Sequence, residues 1–169
     1  MASFFEPGGP IFTYPFSATA LSTTGNTDLW CVTAPSAARL AIREIRLGQY
    51  SDFGDAQAEL LSLLYWTGST AIGGGTAITG QNYKRYTGAA TAASSVTGPS
   101  TTLASTTSAA VVIADVWNVA APYLYIPKPD ERIILGIGQR FNLRISTPND
   151  PLTLNGTLVL QDLGAGLPA

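Results

Sequence analysis

Side chains able to do covalent or acid-base chemistry are scarce in this chain, and their spacing is informative mainly through what it leaves out. There is no histidine, so a Ser-His-Asp triad, a Cys-His pair, an HExxH zinc site and imidazole proton transfer are excluded together. The carboxylates include Asp52 and Asp55, the pair Asp130-Glu131, and Asp150. Paired carboxylates can serve a glycoside hydrolase, and Asp52 and Asp55 with loop carbonyls resemble the oxygen ligands of a calcium site. Each, however, stands close to Gly or Pro, where aspartate is ordinarily a turn former. The single cysteine, Cys31, lies in Leu29-Trp30-Cys31-Val32 and reads as a small core hydrophobe. The run Gly73-Gly74-Gly75 lacks the GxxxxGK pattern and precedes no helix, which makes it a loop and not a phosphate cradle. The expectation is a protein that is not an enzyme, with no catalytic, cofactor-binding or metal-binding residues.

Two groups of side chains point to binding instead. Tyr83-Lys84-Arg85-Tyr86 interleaves aromatic and basic residues, as single-strand nucleic-acid binders do. Nine basic residues against eleven acidic ones leave a net charge of -2 and no basic stripe to neutralise phosphates, so no nucleic-acid partner is expected. Tyr83, Arg85 and Tyr86 are expected to anchor a protein interface, where Tyr and Arg are preferred. The second group is Phe4, Phe5, Phe12, Tyr14 and Phe16, set among Pro7, Pro10, Pro15 and a Gly-Gly pair. Residues 1–16 are too apolar for a solvated tail and too interrupted by Pro for an inner strand. They are expected to form an extended arm that docks on a neighbouring subunit or covers the domain's own open edge. Burial of each large side chain is worth roughly 1.5 to 3 kcal/mol.

The elements behind these residues read as short β-strands. Between Pro122 and Asp162 apolar runs alternate with Pro, Gly, Asn and Asp, and Phe141, Leu143 and Ile145 fall on every second residue with Arg140, Asn142 and Arg144 between them. Within Arg39 to Leu47, Leu40 and Ile42 share one parity while Ile45 and Leu47 take the other. Either a β-bulge near Arg43-Glu44 shifts the phase or both faces are covered. Leu60 to Trp66 predicts an inner strand buried on both sides, and Ala109 to Trp117 another strand. The Gly, Ser, Thr and Ala segments at 68–80 and 87–108 are long for loops, and are expected to cross the surface and meet a partner. No helix with a 3.6 period and no apolar run near the ~20 residues of a membrane span is present. The pattern implies an all-β antiparallel sandwich, a jelly roll for choice, with an arm over 1–16, one domain over 17–163 and a short tail over 164–169.

Charged residues make up only 12% of the chain, against roughly 25% in ordinary globular proteins. A surface so poor in charge suits a protein packed against copies of itself or another partner. The stretches Ile42-Arg43-Glu44-Ile45-Arg46-Leu47-Gly48-Gln49, Trp117-Asn118-Val119, Tyr125-Ile126-Pro127-Lys128-Pro129-Asp130-Glu131-Arg132 and Leu154-Asn155-Gly156-Thr157-Leu158-Val159-Leu160 resemble small structural proteins of tailed bacteriophages. The resemblance covers about Ala38 to Asp162. It implies a β-sandwich or jelly-roll decoration (cement) protein on the capsid exterior, bridging major capsid subunits, commonly as a homotrimer and with no active-site residues. The expected partners are the major capsid protein and further copies of the chain, with no membrane, and synthesis is expected in the host cytoplasm. The alternative is a carbohydrate- or receptor-binding β-sandwich of a head fibre or tail, in which Trp30, Trp66 or Trp117 would offer a stacking face.

Overall fold

In the computed structural model, which describes residues 9–51, 59–70, 74–83 and 94–164, period-two runs of apolar side chains build two facing antiparallel sheets. The strands are β1 (Ile11–Ala20), β2 (Thr27–Thr33), β3 (Leu40–Gln49), β4 (Leu60–Thr67), β5 (Thr76–Ala77) and β6 (Gln81–Asn82). They continue as β7 (Ser95–Gly98), β8 (Ala110–Asn118), β9 (Tyr123–Tyr125), β10 (Ile134–Leu135), β11 (Arg140–Ile145) and β12 (Thr153–Asp162). Among the described residues there is no α-helix, only a 3-10 turn at Pro129–Glu131. The first sheet runs β10-β3-β12-β1-β6, with β9 also lying along β3, and the second runs β5-β7-β2-β11-β4-β8. The chain crosses between sheets from β1 to β2, β2 to β3 and β3 to β4, and again on the return. As a result β12 inserts between β1 and β3, and β11 between β2 and β4. The expected antiparallel β-sandwich is the architecture observed.

Strand β1 takes residues 11–16 of the expected arm into the chain's own first sheet, and residues 1–8 lie outside the described residues. Ile11 to Phe16 pair with Gln161 to Gly156 of β12, and Phe12 and Thr13 pair with β6 on the other side. Phe12 and Tyr14 are buried and Phe16 packs on the same core, so these three aromatic residues are core of the chain's own domain. Pro15 is tolerated for a geometric reason. Asp162 N–H donates to Pro10 O at 3.0 Å and Tyr83 N–H to Ile11 O at 2.9 Å, so even-numbered residues of β1 face β12 and odd-numbered ones face β6. β6 reaches only Phe12 and Thr13, and the nitrogen of Pro15 therefore points past its end, where no donor is required. Phe4 and Phe5 lie outside the described residues.

The phase change in β3 is a β-bulge. Glu44 stands opposite Val159 and Ile42 opposite Leu160, which leaves Arg43 as the extra residue. Leu40, Ile42, Ile45 and Leu47 all reach the core in consequence, and Arg43 and Glu44 are both left half-buried beside one another. Strand β4 is the expected inner strand, between β11 and β8, but it is buried on one face only: Leu61, Leu63 and Tyr65 are buried while Leu60 and Ser62 are exposed.

At Gly156 of β12 the Trp30 ring of the second sheet packs directly on the first. Gly156 stands opposite Phe16 in register, and a Cβ there would lie 2.5 Å from the Phe16 ring and 2.7 Å from that of Trp30. Those two rings pack with centroids 4.9 Å apart, so this mid-strand glycine is the space the aromatic pair occupies. Gly156→Ala is expected to destabilise the fold by about 1 to 3 kcal/mol through overpacking, although alanine is the better strand residue on entropy alone. Chemical denaturation monitored by tryptophan fluorescence would measure it. Deleting residues 2–16 removes Ile11 to Phe16 from the sheet, and the truncated chain is expected to lose its cooperative unfolding transition in calorimetry.

Candidate functional site

Strand β8, Ala110-Val111-Val112-Ile113-Ala114-Asp115-Val116-Trp117-Asn118, is rich in β-branched residues suited to a pleated ladder, and it pairs with β4 along its whole length. It closes the second sheet. Seven of its nine residues are exposed. Trp117 is the exception, buried with its Nε1–H donating to Ala121 O at 2.6 Å. On the outer face Val116 is 58% exposed beside Ser62, and Leu60, 66% exposed, stands beside Asn118. Val111 and Val112 extend the apolar surface at the other end of the strand. Native edge strands are ordinarily blunted by lysine, proline or a cover. This one carries a single charge, Asp115.

The hydrogen-bond phase of this edge follows from its neighbours. Val119 N–H donates to Glu59 O at 3.1 Å, while Ser62 O accepts from Ser146 N–H at 3.0 Å on the opposite side of β4. Ile113, Asp115 and Trp117 therefore face β4, and Ala114, Val116 and Asn118 turn their backbone groups to the open side. The Asp115 carboxylate folds over that side: Oδ1 accepts Val116 N–H at 2.8 Å and Oδ2 accepts the Tyr123 hydroxyl at 2.8 Å. With its proton committed to Asp115, Tyr123 accepts from Tyr65 Oη at 2.6 Å. This chain of hydroxyls ties β4 and β8 of one sheet to β9 of the other.

Burial, first of all, holds the Tyr65 and Tyr123 hydroxyls well above the usual phenol range; the hydrogen bond to Tyr123 adds to it for Tyr65, and Asp115 adds to it for Tyr123.

Farther across the same sheet the outer face is covered. Asp28 is fully buried and accepts from Arg144 Nε at 2.6 Å, from Arg144 Nη2 at 3.2 Å and from Ala104 N–H at 2.7 Å. Arg144 Nη2 also donates to Ala104 O at 2.8 Å, and Asp28 and Ser100 exchange backbone bonds. The Ser/Thr-rich stretch after β7 is thereby pinned over β2 and β11. Removing one member of such a buried pair typically costs about 3 to 5 kcal/mol.

The bulge in β3 builds a second feature, on the outer face of the first sheet. Arg43, Glu44, Arg132 and Tyr83 line a depression of ≈ 210 Å³ with Ile11, Ile126, Pro127 and Val159. Arg43 Nη1 donates to Gln161 Oε1 at 2.9 Å, and Glu44 pairs with Arg46. Tyr83, 60% exposed, is the one member of its predicted anchor group that is described; Arg85 and Tyr86 lie outside the described residues. A second depression, of ≈ 540 Å³, has no charged lining and is bordered by Phe16, Thr19, Thr76, Thr79, Gln81 and Pro99. Of the tryptophans, Trp30 and Trp117 are core and Trp66 is half-buried. Asp52 and Asp55 are outside the described residues, while Asp130, Glu131 and Asp150 are exposed. Among the described residues no group of three or more His, Cys, Asp or Glu is placed to hold a metal.

No family model, curated protein or solved structure matches the chain. Among the described residues no strand pairs with the outer edge of β8, and sequence alone could not have found that edge. An exposed strand and a buried one share the same residue pattern.

The tyrosine chain makes stability depend on pH. An acid whose folded pKa lies above its unfolded value, ~10 for tyrosine, favours the folded state fully below that value and ceases to as pH rises past it. Unfolding free energy is expected to fall above about pH 10, with the tyrosinate absorbance of Tyr65 and Tyr123 appearing only on unfolding. The double variant Tyr65→Phe, Tyr123→Phe should flatten that fall, and denaturation midpoints from pH 8 to 11 would check it.

Proposed function

We propose that this protein is a structural component of a virus particle, a capsid decoration or cement protein that binds the exterior of a phage head and stabilises contacts between major capsid subunits. The observation that carries the reading is the strand order. Taking β9 and β10 together as one interrupted strand, the eight long strands form sheets in the orders 1-8-3-6 and 2-7-4-5. That interleaving supports reading the sandwich as a jelly roll, an architecture found in viral capsid proteins, lectins and cupins. Fold alone does not give function, so the choice among these rests on residues. Cupin-type metal chemistry draws on histidine, which this chain lacks. The bare apolar edge and the 12% charge content suit permanent packing within a particle. The second reading, a carbohydrate- or receptor-binding module of a head fibre or tail, is favoured by one observation, the uncharged depression beside Phe16, Thr19 and Gln81.

Quantifying the protein on purified particles separates the two. A decoration protein is expected at a copy number that is a fixed multiple of the shell's symmetry, and its removal should lower the temperature at which the shell releases its genome. A few copies per particle would favour the fibre or tail reading. Absence from particles would overturn both.

A further inference from the structure

The geometry points to a second copy of this chain as the occupant of the β8 edge, joined antiparallel about a two-fold axis at Val116. This inference concerns the isolated protein and does not require the particle assignment.

The backbone selects the register. Antiparallel addition uses residues whose N–H and C=O face outward, here Ala114, Val116 and Asn118. The regular part of the strand is bounded on one side by the bulge between Ile113 and Val111, where Val112 is the extra residue, and on the other by the turn that closes with Ala121 N–H on Asn118 O. The segment between these limits, Ile113 to Asn118, offers three outward-facing residues, Ala114, Val116 and Asn118, and Val116 is the middle one. A two-fold axis there sets Val116 opposite its own copy and Ala114 opposite Asn118. The Asn118 carbonyl keeps a second lone pair for the new bond. An axis one residue away, at Asp115, would face two carboxylates at about 4.5 Å, the close spacing of a non-hydrogen-bonded pair, and is excluded by charge.

The side chains agree with this register. Paired Val116 residues, with Cα atoms about 5.5 Å apart, would cover the most exposed apolar position of the strand. On the same face Asn118, beside Leu60, would stand opposite Ala114 of the second copy, so that the outer face continues across the joint. Asp115 lies on the other face, held by Tyr123, and opposes Trp117 instead of its own copy. Its Oδ1 now occupies Val116 N–H, the central donor of the joint. Asp115 is thus a gate: it caps the edge in the single chain and must release that N–H for the ladder to form. Such a joint is isologous, one patch meeting itself, whereas the expected homotrimer would need two different patches in a ring.

Sedimentation of the full chain at micromolar concentration is expected to show a dimer, and Val116→Lys, at an exposed position that leaves the core intact, to give a folded monomer by the same measurement and by calorimetry. Val116→Cys under mild oxidation should yield a covalent dimer, since the expected Cα spacing suits a disulfide, while Ala114→Cys should not. A monomer or trimer for the parent chain, a dimer that survives Val116→Lys, or cross-linking through Ala114→Cys in preference to Val116→Cys would each overturn the proposal. None of these outcomes bears on particle copy number, so the two readings fail separately.

Discussion

The sandwich depends on the slot that holds Trp30. The indole is fully buried on β2, its Nε1–H donates across the gap to Tyr14 O at 3.2 Å, and its ring packs on Phe16 and against Gly156. One side chain of the second sheet is thereby fixed to β1 and β12 of the first. A buried indole without a partner for its N–H would be costly, and a larger residue at 156 would push the sheets apart. The partition of the chain into two layers, with β12 inserted between β1 and β3, is built around that contact.

Outside the core the two halves of the second sheet's outer face are treated unequally. Over β2 and β11, the Asp28–Arg144 pair is enclosed by the backbone of Ala104 and Ser100, and a segment of small polar residues substitutes for water. Charges so enclosed stabilise little by themselves, but they fix where the covering segment lies because a displaced segment would take Ala104 N–H from Asp28 and the Ala104 carbonyl from Arg144. Over β4 and β8 the described residues hold no such anchor, and Leu60 and Val116 are exposed. The boundary between covered and bare sheet falls where the ion pair ends.

Much of this fold was legible in the sequence, because alternation on β3, β11 and β12 is a direct consequence of one buried face. The bulge at Arg43 was legible as a change of phase. Phe12, Tyr14 and Phe16 show the same period of two, yet three prolines and a glycine pair argued against a strand; only the register, which aims the Pro15 nitrogen past the end of β6, resolves the conflict. Arg144 and Asp28 are 116 residues apart in the chain, and nothing local marks them as partners. Strand β4 has apolar residues on both parities and strands on both sides, yet its outer face is exposed at Leu60 and Ser62, because two-sided burial also needs a layer over that face. Edge position is a property of strand order, which no window of sequence contains. The Tyr65–Tyr123–Asp115 chain escaped notice for the same reason, as its members come from three strands.

The pairing of the first strand with the last has a mechanical side. Ile11 stands opposite Gln161, and the ladder opens with the bond from Asp162 N–H to Pro10 O. A pull exerted through Pro10 and Asp162 in opposite directions would load these bonds singly, in zipper fashion, and peel β1 from β12 under a small force. A load carried along the length of a strand, by contrast, must shear many bonds at once. The sandwich is soft when stretched between its first and last strands and stiff when strained through the body of its sheets.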